Sequence, residues 1–532
     1  MAADDSSSSP SHPQGSGENI NVENHVSLQQ PKPEPVYEKP YGLDWLNNAE
    51  DMEEYRPGGL HPVDMFDMLD GRFEVCHKLG SGGIATVWLC HEKLFKRWRA
   101  VKINAASRSH DDSPELKLLE LLEKRGDSLQ LLEENHVIMP LETFWIEGPN
   151  GRHLCTVLPV LGPTLCDWRH MSLGTDAVRI KNVCYQLTKG VDFLHSRGIC
   201  HGDLRSPNVL MKLKGNGLDH LEPEDLFELL HYPDRYEVLT TEDERSPHSP
   251  KWVIDPLWWS ELRNLVSDEV AIVDFGEAFE ESSPPKSLGI PKLYAAPEII
   301  YGGLPAGKGV DIWSLAYTIM QIRTGGSPEF SLNAPLRRME RFAGPIPAPY
   351  RLAAAEELYR GDMRCYEQYG KQSGWEKPVP PSERLQADDQ ILEKLTREMT
   401  SDSCVRELEL ELGDEIRESV LLPSKSDEDG EEEKWEVVNY RLPEAEVLSL
   451  ADLLSKMLKY QPGQRISAAA ILKHSWFKIE PETITASVET SDGEQAISPP
   501  EMPLPVNTSH PSGLTSLWKL VQKLVPTDFD WL

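Results

Sequence analysis

Paired cysteines, a basic surface and a long apolar run are all missing from this chain. Its eight cysteines form no CxxC pair and no Cys/His metal spacing. That excludes a disulfide frame and a structural zinc site and points to a reducing compartment. Lys and Arg are scarce, 54 against 87 Asp and Glu, giving a formal net charge of −33. A surface of that sign repels phosphate backbones, so direct nucleic-acid binding is excluded and a basic partner is easier to accommodate. The surplus acid can equally serve solvation alone, as in SDEDGEEEKWE. No run approaches the roughly 18 apolar residues of a membrane helix, and MAADDSSSSP has neither the basic start nor the apolar core of a secretory leader. The expectation is an intracellular monomer without membrane attachment, cytoplasmic, nuclear or both. At 532 residues the chain exceeds one simple core, so one two-lobed catalytic unit with tails and insertions is expected.

What is present is an ordered series of short motifs. HGDLRSPNVL, His201 to Leu210, sets Asp203 and Asn208 five residues apart. This HxDLxxxxN spacing suits phosphoryl transfer, the acid orienting and deprotonating a hydroxyl and the amide oxygen holding a metal ion. Upstream, Phe73, Val75 and Leu79 alternate before a Gly-rich turn, and Val87 and Leu89 after it, the period of a β-hairpin. Gly80 and Gly82 let the backbone approach a phosphate, and Val87 would cover a purine. The third Gly of the GxGxxGxV pattern is Ala85. Alone, such a hairpin is a plain turn; followed by a strand ending AVK at Lys102, it reads as a nucleotide lid.

Ser113, Pro114 and Glu115 read as the N-cap and first two residues of a helix, with Glu115, Leu118, Leu119 and Leu122 on one face. Glu115 is thus placed to meet Lys102 in the ion pair that fixes a nucleotide's α- and β-phosphates. Glu120 and Glu123 are its rivals, and an exposed surface acid is the plain alternative. Two strands then lead into VLPVLG, an interlobe connection whose Pro159 carbonyl and Leu161 N–H would meet adenine. Further on, EVAIVDFG ends at Asp274, the second expected metal ligand, although an acid at a strand end also caps turns. AAPEII comes next, then DIWSLAYTIM, an apolar helix with Asp311 at its start. Glu298 needs a buried cation, which Arg465 in YQPGQRISA is placed to supply.

Residues 1–40 are Ser-, Pro- and Gly-rich and read as a disordered tail. Some 65 residues separate the catalytic loop from DFG, more than a strand pair needs. The surplus, about 215–267, is expected to pack back through Trp252, Trp258 and Trp259, a partner site being the alternative. A second insertion, about 352–446, is Glu-rich and helix-permissive, with no readable role. Residues 478–532 form a second tail, with Leu514, Leu517, Trp518, Val521 and Leu524 on one face of an amphipathic helix expected to dock on the core.

The Gly-rich hairpin, AVK, Glu115, HxDLxxxxN, DFG, APE, DIWS and MLKYQPGQRISAAAILKHSWF stand in the order of the eukaryotic protein kinases. More narrowly, EEYRPGGLHPV, KLGSGGIATVWLC, GPNGRHLCTVLPVLGPTLCDW and VDFLHSRGICHGDL resemble the SR-protein kinase family, whose members phosphorylate serine in Arg-Ser-rich splicing factors. The resemblance implies an α+β, two-lobed protein-kinase fold over 41–477. A small antiparallel sheet with one regulatory helix makes an N-lobe (about 73–161), and a larger, mainly helical C-lobe spans about 162–477. It implies ATP among Leu79, Gly80, Ser81, Gly82, Gly83, Val87, Ala100, Lys102, Pro159 and Leu161, Mg2+ on Asn208 and Asp274, and catalysis by Asp203, Lys102, Arg205 and Glu115. The expected reaction is phosphorylation of Ser or Thr in a protein substrate, basic or Arg-Ser-rich.

Three positions depart from the pattern. Gly202 replaces the Arg of HRD, so no cation awaits an activation-segment phosphate, and activity without such phosphorylation is expected. Arg205 and Pro291 stand where Ser/Thr kinases carry Lys and Thr, so Ser/Thr preference rests on the resemblance. Arg337 and Arg338 stand where the resembled family places acids that dock Arg-rich peptides. Two other classes remain open. A small-molecule kinase like the aminoglycoside and choline phosphotransferases shares HGDL with a following Asn, but lacks the APE segment and the DIWS helix. A non-catalytic kinase-like scaffold usually loses a metal ligand or the strand Lys, all of which are retained here.

Overall fold

The computed structural model describes residues 50–230, 232–238, 245–325, 334–347, 401–423, 433–479, 486–490 and 493–497, with isolated positions between 350 and 380 and at 484. The expected tail 1–40 and the helix carrying Leu514 to Leu524 lie outside the described residues.

Six strands make the N-lobe sheet: β1 (Met68–Leu69), β2 (Phe73–Gly82), β3 (Ala85–Glu92), β4 (Arg97–Asn104), β5 (Glu142–Gly148) and β6 (Gly151–Leu158). They are antiparallel in the order β1-β2-β3-β4-β6-β5. Before the turn the alternation has the expected cause, since Phe73 and Val75 bury one face with Trp88, Cys90, Val101 and Val157. After it Trp88 and Cys90 take that face, while Val87 is half-buried and Leu89 packs in a separate cluster with Cys76 and Trp98. The alternation breaks before the lid. The β2–β3 register slips between Val75 and His77 and again between Lys78 and Gly80, which removes Leu79 from the alternation. Helix Pro114–Arg125 buries Leu118 and Leu122 in the large cluster that also holds Leu132, Val137 and Leu187. Ser113 caps it by accepting the Leu116 N–H, Pro114 fills the first position and Gly126, at φ 77°, closes it.

The C-lobe is built on helix Ala177–Ser196, which buries Ile180, Val183, Leu187, Val191 and Leu194, and on helix Lys308–Thr324, which is buried nearly all round. Helix Glu444–Met457 joins them in one core. Glu298 and Arg465 form the anticipated buried pair, two parallel contacts of 2.6 Å. Two more such pairs lie deep in the lobe, Arg323 with Glu446 at 2.8 and 2.9 Å and Arg169 with Glu418.

The first insertion packs back, but chiefly through leucines. Leu218, Leu221, Leu226, Leu257 and Leu262 bury against Cys76, Leu89 and Trp98 of the sheet. Trp252 and Trp259 join such packing at their edges, whereas Trp258 stays 53% exposed. The amphipathic helix Pro223–Leu230 supplies Leu226 and Leu230 at helical spacing, so aliphatic residues fill the space that the tryptophans were expected to take. The acidic second insertion holds helix Ser401–Gly413 and strands Ile416–Pro423 and Glu433–Tyr440. Strands Ala486–Thr490 and Gly493–Ile497, from the expected second tail, extend that hairpin into a four-stranded sheet. Arg337 and Arg338 fall within helix Ala334–Ala343, but their side chains lie outside the described residues. No described helix is long and apolar enough to cross a membrane.

Candidate active site

The loop from His201 to Asn208 is shaped by a residue whose role the motif did not give. Asp311, 1% exposed, accepts the His201 N–H at 2.8 Å and the Gly202 N–H at 2.9 Å, and its Oδ2 lies 2.9 Å from His195 Nε2. Burial would raise this carboxyl's pKa. The His195 hydrogen bond, the two histidines and the Gly202 N–H bring it below its ordinary value. An acid opening the otherwise apolar DIWSLAYTIM was the available signal. His201 Nδ1 accepts the Asp203 N–H at 3.2 Å, so Nε2 carries the proton and donates to Val273 O at 2.9 Å. One imidazole thereby ties the catalytic loop to the strand that delivers DFG.

Asp203 is held from two sides. Asn208 Nδ2 donates to its Oδ2 at 2.8 Å and to its carbonyl at 2.9 Å, and Arg205 Nε reaches both carboxylate oxygens at 3.2 and 3.1 Å. Burial raises the Asp203 pKa and Arg205 opposes the rise, the net result lying above the ordinary value. Because the Asn208 amide nitrogen is spent on Asp203, its oxygen is what remains to offer a cation. Asn208 O accepts the Val273 N–H at 3.0 Å, which sets Asp274 beside it. Asp274 has φ 64°, a left-handed conformation that Asp tolerates better than most residues. The next residue, Phe275, is buried against His201, ring centroids 5.0 Å apart.

Lys102 Nζ donates to Asp274 Oδ1 at 2.7 Å. Burial presses the Asp274 pKa up, but Lys102 outweighs it and the carboxyl sits below its usual value. Glu115 is buried in the same charged interior, and burial pushes its pKa up while Lys102 pulls it down. The expected Lys102–Glu115 ion pair is nonetheless not made: among the described residues Lys102 gives its ammonium to Asp274. Pro114 starts the helix only one residue ahead of Glu115, so Glu115 enters from the helix's first turn and Asp274 takes the nearer place.

The glycines of the lid and two backbone groups of the connection are uncovered. A Cβ added at Gly80, Gly82 or Gly83 would find no atom within 4 Å. Ser81 pairs with Thr86, and Val87, opposite Gly80, is half-buried beneath. Ala100 is buried opposite Leu158. No described hydrogen bond occupies the Pro159 carbonyl or the Leu161 N–H, although the neighbouring Gly162 N–H is bound to Met211 O at 2.7 Å. Among the described residues no cluster of three or more His, Cys, Asp or Glu forms a metal cage. The Asn208 and Asp274 oxygens instead suit magnesium, which takes one or two protein ligands and completes its shell with phosphates and water.

Gly202 is required as well as permitted. It has φ +79°, and a Cβ there would stand 2.3 Å from Glu277 O. The activation segment therefore occupies the place where an Arg side chain would begin. Glu277 closes the segment on itself, its Oε2 accepting the Gly289 N–H at 2.9 Å. Tyr294 OH and Ser206 Oγ both donate to Gln321 Oε1, at 2.7 and 2.9 Å, joining the segment's end to the catalytic loop beside Arg205.

Part of the chain is similar in sequence to known proteins. The family described as Protein kinase domain matches residues 73–221. SRSF protein kinase 3 of Homo sapiens is 35% identical over 167 residues, 30% of this chain and 29% of that protein. Protein kinase dsk1 of Schizosaccharomyces pombe is 34% identical over 181 residues, 33% of each chain. Serine/threonine-protein kinase SKY1 of Saccharomyces cerevisiae is 31% identical over 205 residues, 36% of this chain and 28% of that protein. The match thus spans about a third or less of these relatives' length. A crystal structure of a kinase domain covers 78% of this chain, with a TM-score of 0.41 and 17% identity. Residues 73–221 thus match the protein kinase domain family, and over the part that aligns the chain resembles the SR-protein kinases.

Proposed function

We propose that the protein transfers the γ-phosphoryl group of Mg-ATP to Ser or Thr hydroxyls of a protein substrate, a basic or Arg-Ser-rich one being the best fit. The observation that carries the reading is the pairing of Lys102 with Asp274 and of Asn208 with Asp203, the two pairs being tied by the bond from the Val273 N–H, next to Asp274, to Asn208 O. Asp203, oriented by Asn208 and Arg205, would position the acceptor hydroxyl and take its proton as the phosphoryl group leaves ADP. Lys102 and the Gly80–Gly83 lid would hold the triphosphate, with adenine against Leu79, Val87 and Ala100 and bonded to Pro159 and Leu161. Asn208 and Asp274 would hold magnesium, which when bound neutralises the phosphates. Arg205 adds positive charge where negative charge develops.

The relatives' names support the Ser/Thr assignment and, through the SRSF kinases, the substrate class. The chain's charge of −33 favours a basic substrate. Intracellular residence, cytoplasmic or nuclear, is part of the same proposal. Radiolabelled ATP supplied with Ser, Thr and Tyr peptides in acidic and Arg-Ser-rich contexts tests it. Phosphoserine or phosphothreonine in basic peptides supports it, whereas mainly phosphotyrosine, or equal rates on acidic peptides, overturns the specificity. A non-catalytic scaffold is the second reading, favoured by the unmade Lys102–Glu115 contact; Mg-ATP binding without transfer would decide for it.

A further inference from the structure

Lys78, two residues before Gly80, is fully buried and has no part in the chemistry above. Its ammonium pairs with the Glu50 carboxylate, which also accepts the Tyr55 hydroxyl at 2.6 Å. The Trp88 ring lies 5.6 Å from the cation. Lys78 also acts through its backbone, its carbonyl accepting the N–H of Leu257 in the first insertion at 2.8 Å. Two segments remote in sequence therefore grip one residue of the lid strand, one by the side chain and one by the main chain.

The grip falls where the strand changes direction. Lys78 pairs with Trp88 and Gly80 with Val87, so Leu79 is the additional residue of a bulge, a device that bends a strand and re-aims the residues beyond it. Past the bulge the glycines touch nothing near their Cβ directions. The height of the lid is therefore governed from its base, by the bulge and by the return strand that begins at Ala85. A buried ion pair adds little net stability, because dehydrating both charges cancels most of their attraction. Its distinctive contribution is geometric: one ammonium, one carboxylate and one backbone bond define a single position.

We propose that Lys78 is a positioning residue for the nucleotide: anchored by Glu50 and Leu257, it sets the height of the Gly80–Gly83 lid over the phosphates of Mg-ATP. This rests on the nucleotide reading of the cleft. Calorimetric titration of the full chain with Mg-ATP and, separately, with adenosine tests it on the parent, Lys78→Met, Glu50→Gln and the double variant Lys78→Met/Glu50→Leu. Each variant is expected to lose about tenfold in Mg-ATP affinity, while adenosine affinity stays within about twofold. The double variant leaves no unpaired buried charge, so its melting temperature stays closer to the parent's than that of Lys78→Met, which separates lid placement from folding. In a peptide assay its KM for ATP rises in step, with kcat at saturating ATP unchanged. An unaltered ratio of Mg-ATP to adenosine affinity in the double variant overturns the proposal whatever the single variants do. A parent that binds Mg-ATP but transfers no phosphate overturns the kinase reading alone, and the affinity ratios still decide Lys78. A parent that binds no Mg-ATP overturns both.

Discussion

Gly202→Ala is the smallest change that sets the activation segment against the catalytic loop. The new methyl would lie 2.3 Å from Glu277 O and 3.1 Å from its carbonyl carbon, on a residue held at φ +79°. The left-handed backbone costs an L-residue about 1–2 kcal/mol. Relieving the overlap requires movement of backbone, not of a flexible side-chain end, which places it in the range of overpacked cores, about 1–3 kcal/mol. Together these give a loss of about 2–5 kcal/mol in stability. The effect on turnover should exceed this, because Glu277 is three residues from Asp274 and the Gly202 N–H is one of the bonds that Asp311 uses to hold the loop. A displacement near 1 Å at reacting groups costs about a hundredfold. Urea unfolding followed by tryptophan fluorescence, together with kcat at saturating ATP and peptide, measures both effects. The parent should also keep its activity after phosphatase treatment, since Glu277 bonds Gly289 without any phosphate. Unchanged unfolding and unchanged kcat in Gly202→Ala would refute the steric reasoning, and loss of parent activity on dephosphorylation would refute its functional reading.

Other perturbations act on the same network of contacts. Asp311→Asn turns one of its two acceptor oxygens into a donor facing a backbone N–H or His195, so kcat should fall about a hundredfold and stability by about 1–3 kcal/mol; a variant with the parent's kcat would contradict the anchoring role. Arg205→Ala removes the largest influence that lowers the Asp203 pKa, leaving only His201 and Asn208 to oppose burial, so the acid limb of the kcat/KM profile should move to higher pH. An acid limb that stays or moves to lower pH would exclude the Arg205–Asp203 coupling. Arg465→Met leaves Glu298 buried without its partner and should cost about 3–5 kcal/mol, most of it recovered in Arg465→Met/Glu298→Leu. Equal denaturation midpoints for the single and double variants would contradict that assignment.

The catalytic motifs were legible because their chemistry fixes residue type and spacing within one loop or strand. The Ser113 cap, the hairpin around Gly80 to Gly82 and the Glu298–Arg465 pair likewise arise from local rules or from one unsatisfied charge. What was hidden depends on contacts between distant segments. Asp311 reads as an acid at a helix start until the His201 and Gly202 N–H groups are seen to point at it. Glu418 and Glu446 lie on either side of an acidic stretch that reads as a solvated surface, yet both are buried against Arg169 and Arg323. The strands at 416–423 and 433–440 were obscured for the same reason, since the charge that suggested solvation is partly spent inside the lobe. The Lys102–Glu115 contact fails in the opposite way. Spacing allowed it, but Asp274 in its left-handed conformation supplies a nearer carboxylate.

The central claim is that the cleft moves a phosphoryl group through Asp203 and Asp274. Incorporation of label from radiolabelled ATP into Arg-Ser-rich peptides, measured for the parent, Asp203→Asn and Asp274→Asn at matched folding, tests it most directly. The account predicts labelled serine or threonine with the parent and at least about a hundredfold less with either variant. A folded parent that labels no peptide, or a variant that labels as fast as the parent, would contradict it.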